Sequence, residues 1–156
     1  MTILGTAPGS LGAMALISDH DGRILTKCGI PKKSGMNEVD TAQLLHFLNK
    51  WNVRPLVVLE QAPHHAPSTS AVRSLALNIG IITGCLESRG ITVVRPLSQR
   101  WQKELLGKVE RGGSKEAAEK FALSRWPAEK WHTKRGRLDD GAIDAACLAE
   151  WGRTKL

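Results

Sequence analysis

The chain opens on short apolar runs separated by turn signals. Residues 2–7 (TILGTA) are apolar and partly β-branched and stop at Pro8-Gly9, Gly12 to Ser18 (GAMALIS) forms a second run, and Arg23 to Ile30 (RILTKCGI) a third. The Asp21-Gly22 pair between the last two is a hairpin signal, so the pattern predicts an antiparallel meander of three strands. Beyond the polar loop from Lys32 to Met36, the period changes. Asp40 to Trp51 places Leu44, Leu45, Phe47, Leu48 and Trp51 on one helical face, with Asp40 or Thr41 as cap. Pro55 to Gln61 (PLVVLEQ) is almost continuously apolar, as a strand covered on both faces requires. A Pro-rich loop, Ala62 to Ser68, leads into a long helix, Thr69 to Arg89, and Ile91 to Arg95 is a fifth strand stopped by Pro96. Three helices complete the chain: Ser98 to Gly107, with a capped start, Ser114 to Trp126, with Ser114 as cap, and Leu138 to Gly152. Basic loops, Lys108 to Gly113 and Ala128 to Arg137, separate them. The order predicts one α/β domain over residues 1–156, with a mixed five-stranded sheet of three antiparallel strands then two parallel ones, flanked by helices.

Within the long helix, Gly80 and Gly84 lie four apart and form a smooth strip where another backbone can approach, either the sheet of the same chain or a second subunit. With 42% hydrophobic residues and a mean hydropathy of -0.20, the composition is that of an ordinary globule. We expect no membrane span, since no apolar run approaches about 20 residues, and no leader segment. Cys28, Cys85 and Cys147 are scattered among apolar residues and read as core thiols of a cytoplasmic protein, not as a zinc site or disulfide framework. Charge changes the picture more. The net charge is +7, and from Arg100 to Arg137 there are 11 Lys and Arg against 5 Asp and Glu, so one stretch supplies +6 of the excess. Such a concentration favours an anionic partner, nucleic acid above all.

The candidate chemistry is acidic and lies at the ends of elements. Asp140 and Asp144 are four apart, so on a helix their carboxylates stack about 6 Å apart on one face. A cap role accounts for Asp139 or Asp140 but not for Asp144, one turn further in; a divalent cation held between Asp140 and Asp144 is the other account. Glu60 closes the buried fourth strand, where a carboxylate must emerge into solvent, pair or bind a metal. A metal site for phosphate chemistry needs such oxygen ligands from several elements.

The sequence resembles the RuvC-type Holliday junction resolvases of the ribonuclease H-like superfamily, in their small phage and bacterial form. The resemblance runs over ILGTAPGSLGAMAL at Ile3–Leu16, VVLEQ at Val57–Gln61, the helix TSAVRSLALNIGIITGCL, Trp101 and Lys103, the Lys115-Glu116 helix start, and DDGAIDAACLAEW at Asp139–Trp151. It implies a ribonuclease H-like fold and a homodimer that resolves four-way or branched DNA by paired symmetric nicks. It also implies two Mg²⁺ or Mn²⁺ ions per site, held by four acids, in the cytoplasm of a bacterial or phage-infected cell. Carried over by position, the metal ligands are Glu60, Asp140 and Asp144, and Lys115 is the lysine beside the scissile phosphate. Asp139 is the rival of Asp140, although a separation of five from Asp144 turns it off the shared face. Lys103, Lys108, Arg111, Lys134, Arg135 and Arg137 are candidate phosphate contacts. Where some members carry an aromatic wedge after the strand-end glutamate, this chain has Pro63, His64 and His65, with His64 and His65 as candidate DNA contacts. A zinc site at those two histidines lacks further ligands nearby.

The departure from the family is Ala7. The first motif there reads Gly-x-Asp-Pro-Gly, and Gly5-Thr6-Ala7-Pro8-Gly9 has a methyl in place of the first carboxylate. The expectation is a cleavage-deficient chain that still binds junctions, either a deliberately inactivated nuclease or a natural branched-DNA binder. A ribonuclease H acting on RNA–DNA hybrids is the alternative enzyme.

Overall fold

The computed structural model describes residues 1–9, 11–51, 55–61 and 68–156. The strands are β1 (Thr2–Ala7), β2 (Ala13–Ser18), β3 (Ile24–Gly29), β4 (Leu56–Leu59) and β5 (Val93–Val94), and the helices α1 (Thr41–Lys50), α2 (Thr69–Glu87), α3 (Ser98–Leu106), α4 (Ser114–Arg125) and α5 (Asp140–Lys155). They form one sheet of order β3-β2-β1-β4-β5. The β3-β2 and β2-β1 pairs are antiparallel, β1-β4 and β4-β5 parallel, as the pattern of runs predicts. The β2–β3 turn depends on Gly22, whose φ of 71° lies in the left-handed region that glycine enters without steric cost.

Strand alternation sends side chains to two cores. On one face Ile3, Ala7, Ala13, Ala15, Ile17 and Val58 meet α5, with α3 and α4 behind it. On the other, Leu4, Met14, Leu16, Val57 and Leu59 meet Leu44 and Leu48 of α1 and Ile79, Ile82 and Leu86 of α2. The central helix is α5, buried from Ala145 to Gly152. Ala142, Ala145, Ala146, Ala149 and Gly152 recur at helical spacing, a stripe of small residues that lets the helix press onto β1. A Cβ on Gly5 would fall 1.9 Å from the Ala145 carbonyl oxygen, which measures how close the two backbones are.

A buried charge ties the far end of α5 to the hairpin. Glu150 is 3% exposed and accepts from Arg125 Nε at 3.0 Å and Arg153 Nε at 2.7 Å. Arg125 also donates to the Asp21 carbonyl, and Trp126 Nε1 donates to the Gly22 carbonyl at 2.8 Å. Burial opposes the Glu150 charge, yet the hydrogen bonds from Arg153 and Arg125 outweigh it and hold the carboxyl below the ordinary glutamate value.

Four local expectations are corrected. Neither α3 nor α4 has a side-chain cap: Leu97 and Gly113 occupy the cap positions, and Ser114 is already inside α4. Cys28 is exposed, because β3 is a sheet edge, although Cys147 is buried as expected. Gly80 and Gly84 face away from the sheet, with no atom of the described residues within 4 Å of a Cβ placed on either. Finally, α2 is long and apolar enough by length and composition to cross a membrane, since its Leu, Ile, Val, Ala and Cys residues outweigh a single Arg73. Here its inner side packs on the sheet, and Asn78, 3% exposed, accepts from the Val39 amide and donates to the Asn37 carbonyl.

Two stability predictions follow from these contacts. Gly5→Ala should destabilise the protein by about 3 kcal/mol or more in urea unfolding, because backbone atoms and not a yielding side chain block the methyl. Glu150→Ala should cost about 3–5 kcal/mol, since it strands two cations against a buried surface. With its pKa lowered on folding, Glu150 stabilises above its ordinary value of 4.5, and that share is lost as the pH falls through and below it. The alanine variant should lack this part of the acid sensitivity.

Candidate active site

Parallel pairing of β1 with β4 brings Ala7 and Glu60 side by side. Thr6 is in register with Leu59, and the Glu60 amide donates to the Thr6 carbonyl at 3.1 Å. Ala7 is 5% exposed and belongs to the core face that also holds Ala142, Ala145 and Ala146 of α5. Its methyl therefore lies beside the first two turns of the helix that carries the aspartates. Glu60, one residue beyond β4, emerges on that same side and is held by α3: Trp101 Nε1 donates to Glu60 Oε1 at 3.0 Å. Trp101 itself is fully buried. A second indole fixes α3 in turn, with Trp151 Nε1 donating to Glu104 Oε2 at 2.8 Å.

The two aspartates at the start of α5 divide their work. Asp139 is the cap, with Oδ1 accepting from the Ala142 amide at 3.1 Å. Asp140 Oδ2 receives Lys115 Nζ at 2.9 Å, and that hydrogen bond, with the attached charge, raises the lysine above its ordinary value. One turn along, Asp144 is pushed up to about 7, first by burial and then by the negative charges of Glu60 and Asp140, with Lys115 opposing. The four side chains proposed from sequence thus gather within electrostatic reach of one another. Each comes from a different position in the chain: the end of β4, the start of α4 and two turns of α5.

Those acids do not amount to a metal cage. Among the described residues no group of three or more His, Cys, Asp and Glu side chains is arranged to hold a metal ion. Ala7 offers no oxygen, Lys115 already neutralises Asp140, and Trp101 draws on Glu60. The residues present therefore do not fit a complete divalent-ion site. What they make is a half-buried acidic cluster in which the Asp144 carboxyl is pushed up to about 7.

Next to the cluster is a basic cleft of 480 Å³, lined by Leu11 to Ala13, Gly29, Thr133 to Arg135 and Arg137 to Gly141. Lys134, Arg135 and Arg137 are exposed on a tight turn closed by the Thr133 amide on the Arg137 carbonyl at 2.7 Å. Trp131, 1% exposed and packed on Trp126, anchors that loop. Lys103, Lys108 and Arg111 are exposed on α3 and the loop leading to Lys115, outside the cleft lining. His64 and His65 lie outside the described residues. Sequence reasoning assigned no role to Trp101 or Glu150. The first had a signal, its place in the Trp101–Lys103 match; the buried state of Glu150 had none, since Arg125 is distant in sequence.

The pH consequence is testable. Asp144 binds a proton more tightly folded than unfolded, so its contribution to stability is full below 3.8 and is lost as the pH rises to about 7 and beyond. Melting temperatures from pH 5 to 8 should show this decline in the protein and a flatter profile in Asp144→Asn.

No family model matches the sequence, and no curated protein does so. Solved structures do match. A Thermus thermophilus RuvC in complex with Holliday junction substrate superposes with a TM-score of 0.68 at 13% identity, over 97% of this chain and 92% of that one. Another Thermus thermophilus RuvC structure gives 0.67 at 12% identity, over 97% and 94%. At that identity the likeness establishes architecture: the chain has the RuvC-like ribonuclease H fold.

Proposed function

We propose that the chain is a Holliday junction resolvase in architecture and ancestry, a single nuclease-type domain that binds four-way or branched DNA and, with Ala7 in its cluster, does not cut it. One observation carries the reading: Glu60, Asp140 and Lys115 all act on the charge of Asp144, and Asp140 also lines a cleft rimmed by Lys134, Arg135 and Arg137. A structural core would not gather three carboxylates there, because Asp144 is buried beside Glu60 and Asp140 with no cation of its own among the described residues. The basic turn provides phosphate contacts, and Lys115, whose side chain is 77% exposed, is free to exchange Asp140 for a phosphate oxygen. An aspartate at position 7 would complete a set of four acids. A divalent ion such as Mg²⁺ or Mn²⁺ bound there would activate water and neutralise charge on the phosphate. The cytoplasm of a bacterial or phage-infected cell is the setting this function requires.

The proposed functional unit is a homodimer joined through α2. Leu77, Gly80 and Gly84 lie on the side of the helix opposite Asn78, Ile82 and Leu86, and Leu77 is 51% exposed. An apolar stripe with two glycines lets a second helix approach closely. Leu77→Glu leaves the sheet side of α2 untouched and should shift the protein from dimer to monomer in sedimentation; an unchanged dimer would refute this use of α2.

The catalytic reading is tested on a labelled four-way junction with Mg²⁺ or Mn²⁺. The chain as written should shift the junction and leave it intact. Ala7→Asp should nick two strands symmetrically, a gain on the order of 10²–10³-fold or more, the usual scale for one directly acting group. An RNA–DNA hybrid should remain uncut. Failure of the aspartate variant to cut would remove the catalytic assignments and leave a junction-binding protein; cutting of the hybrid alone would make it a ribonuclease H.

A further inference from the structure

Lys27 of β3 is in register with Ala15, which is buried beneath α5, so the lysine stands on that same side of the sheet. Its Nζ pairs there with the Glu129 carboxylate and lies 5.0 Å from the centre of the Trp131 ring. Both partners belong to the segment between α4 and α5, whereas Lys27 belongs to the edge strand. Trp131 has more need of such a support than the other buried indoles. Trp101, Trp126 and Trp151 each donate their ring N–H to an acceptor, at 3.0, 2.8 and 2.8 Å. The Trp131 ring N–H is buried and has no acceptor among the described residues. Its ring is therefore oriented by packing on Trp126, with 5.9 Å between centres, and by the Lys27 cation. Trp131 is also the root of the basic turn. Its carbonyl accepts from the Asp139 amide at 2.8 Å, His132 bridges to Leu138, and the Thr133 amide on the Arg137 carbonyl closes the tip. Residues 131–139 are thus a short hairpin that carries Lys134, Arg135 and Arg137. One leg runs into α5 at its cap, Asp139; the other is held by Trp131 and, through Glu129, by Lys27.

From this geometry we propose that Lys27 and Glu129 are a positioning pair for DNA binding, which locks the hairpin in the pose where its three cations meet phosphates. Neither residue lines the cleft, and neither touches DNA in this account. Their side chains are 21% and 31% exposed, and partly exposed pairs contribute little to folding, so the effect of this one falls on where the hairpin stands. Phosphate contacts fix the register of a duplex on a protein, and they do so only if the cations themselves are fixed. A hairpin free to swing keeps the attraction but has to be ordered on binding, at a cost in affinity. The inference rests on the DNA-binding reading above. It adds the residues through which the sheet edge sets the pose of the basic turn.

The sign of one substitution tests the pair. Glu129→Gln removes a negative charge, which by electrostatics alone tightens DNA binding. The proposal expects the opposite. Titrated against a fluorescein-labelled four-way junction and followed by anisotropy, Glu129→Gln and Lys27→Met should each bind severalfold more weakly than the parent chain. The double variant should bind no more weakly than the worse single one, because the two act as a unit. In an Arg135→Ala/Arg137→Ala chain, itself a weaker binder, adding Glu129→Gln should change nothing; a general loss of structure would still weaken it. Tighter binding by Glu129→Gln beside weaker binding by Lys27→Met would make the lysine a phosphate contact in its own right and overturn the pair. A Glu129→Gln effect that persists without Arg135 and Arg137 would overturn action through the hairpin. Either result leaves DNA binding by the parent chain intact, whereas a parent chain that binds no junction removes the DNA-binding reading and the pair together.

Discussion

Contact between the α5 and β1 backbones sets the position of everything functional in this protein. It exists because β1 has Gly5 and α5 has Ala145 and Ala149 where they cross; a methyl on Gly5 would strike both of those residues' backbones. A helix held that close has no freedom to slide or roll, so Asp140 and Asp144 meet the ends of β1 and β4 in one fixed arrangement. The same helix is pinned near its other end by the Arg125–Glu150–Arg153 network against the β2–β3 hairpin, and there too by Trp151 on Glu104 of α3. Stability and site geometry thus share one element.

The charges on that helix behave differently at its two ends, for reasons of pairing. Glu150 is the more deeply buried carboxylate, and two guanidiniums keep it ionised. Asp144 is driven to about 7 first by burial and then by its carboxylate neighbours Glu60 and Asp140, against which Lys115 is too little. A protein that retains like charges at this spacing, with an alanine among them and a basic cleft beside them, has the outline of a cation site short of one ligand. Lys115 on Asp140 partly offsets the missing positive charge. This is the physical content of the proposed loss of cleavage with binding retained.

Much of the fold was legible because the periods of the runs are clean: five strands and five helices occur where apolar spacing places them, and the Asp21-Gly22 turn falls at a positive φ. The convergence of Glu60 with Asp140 and Asp144 was legible only through order and resemblance, since neither spacing nor charge says that β4 lies beside β1. What sequence could not give is long-range partnership. The exposure of Cys28 depends on β3 being an edge, and the outward face of Gly80 and Gly84 depends on which side of α2 meets the sheet. The bond from Trp101 to Glu60 joins residues 41 positions apart, and no local pattern encodes it. Helix capping was misread for a local reason: Ser114 is a good cap residue, but the turn at Gly112-Gly113 starts α4 one residue earlier.

The central proposal is that Glu60, Asp140 and Asp144 are three of four ligands, and that a carboxylate restored at position 7 is enough for a divalent ion to displace Lys115 from Asp140 and bind. Calorimetric titration with Mn²⁺, in the absence of DNA, tests it most directly on this chain and its Ala7→Asp form. The account predicts saturable binding by the aspartate form and none, or far weaker binding, by the chain as written. Equal binding by both, or by neither, would contradict it.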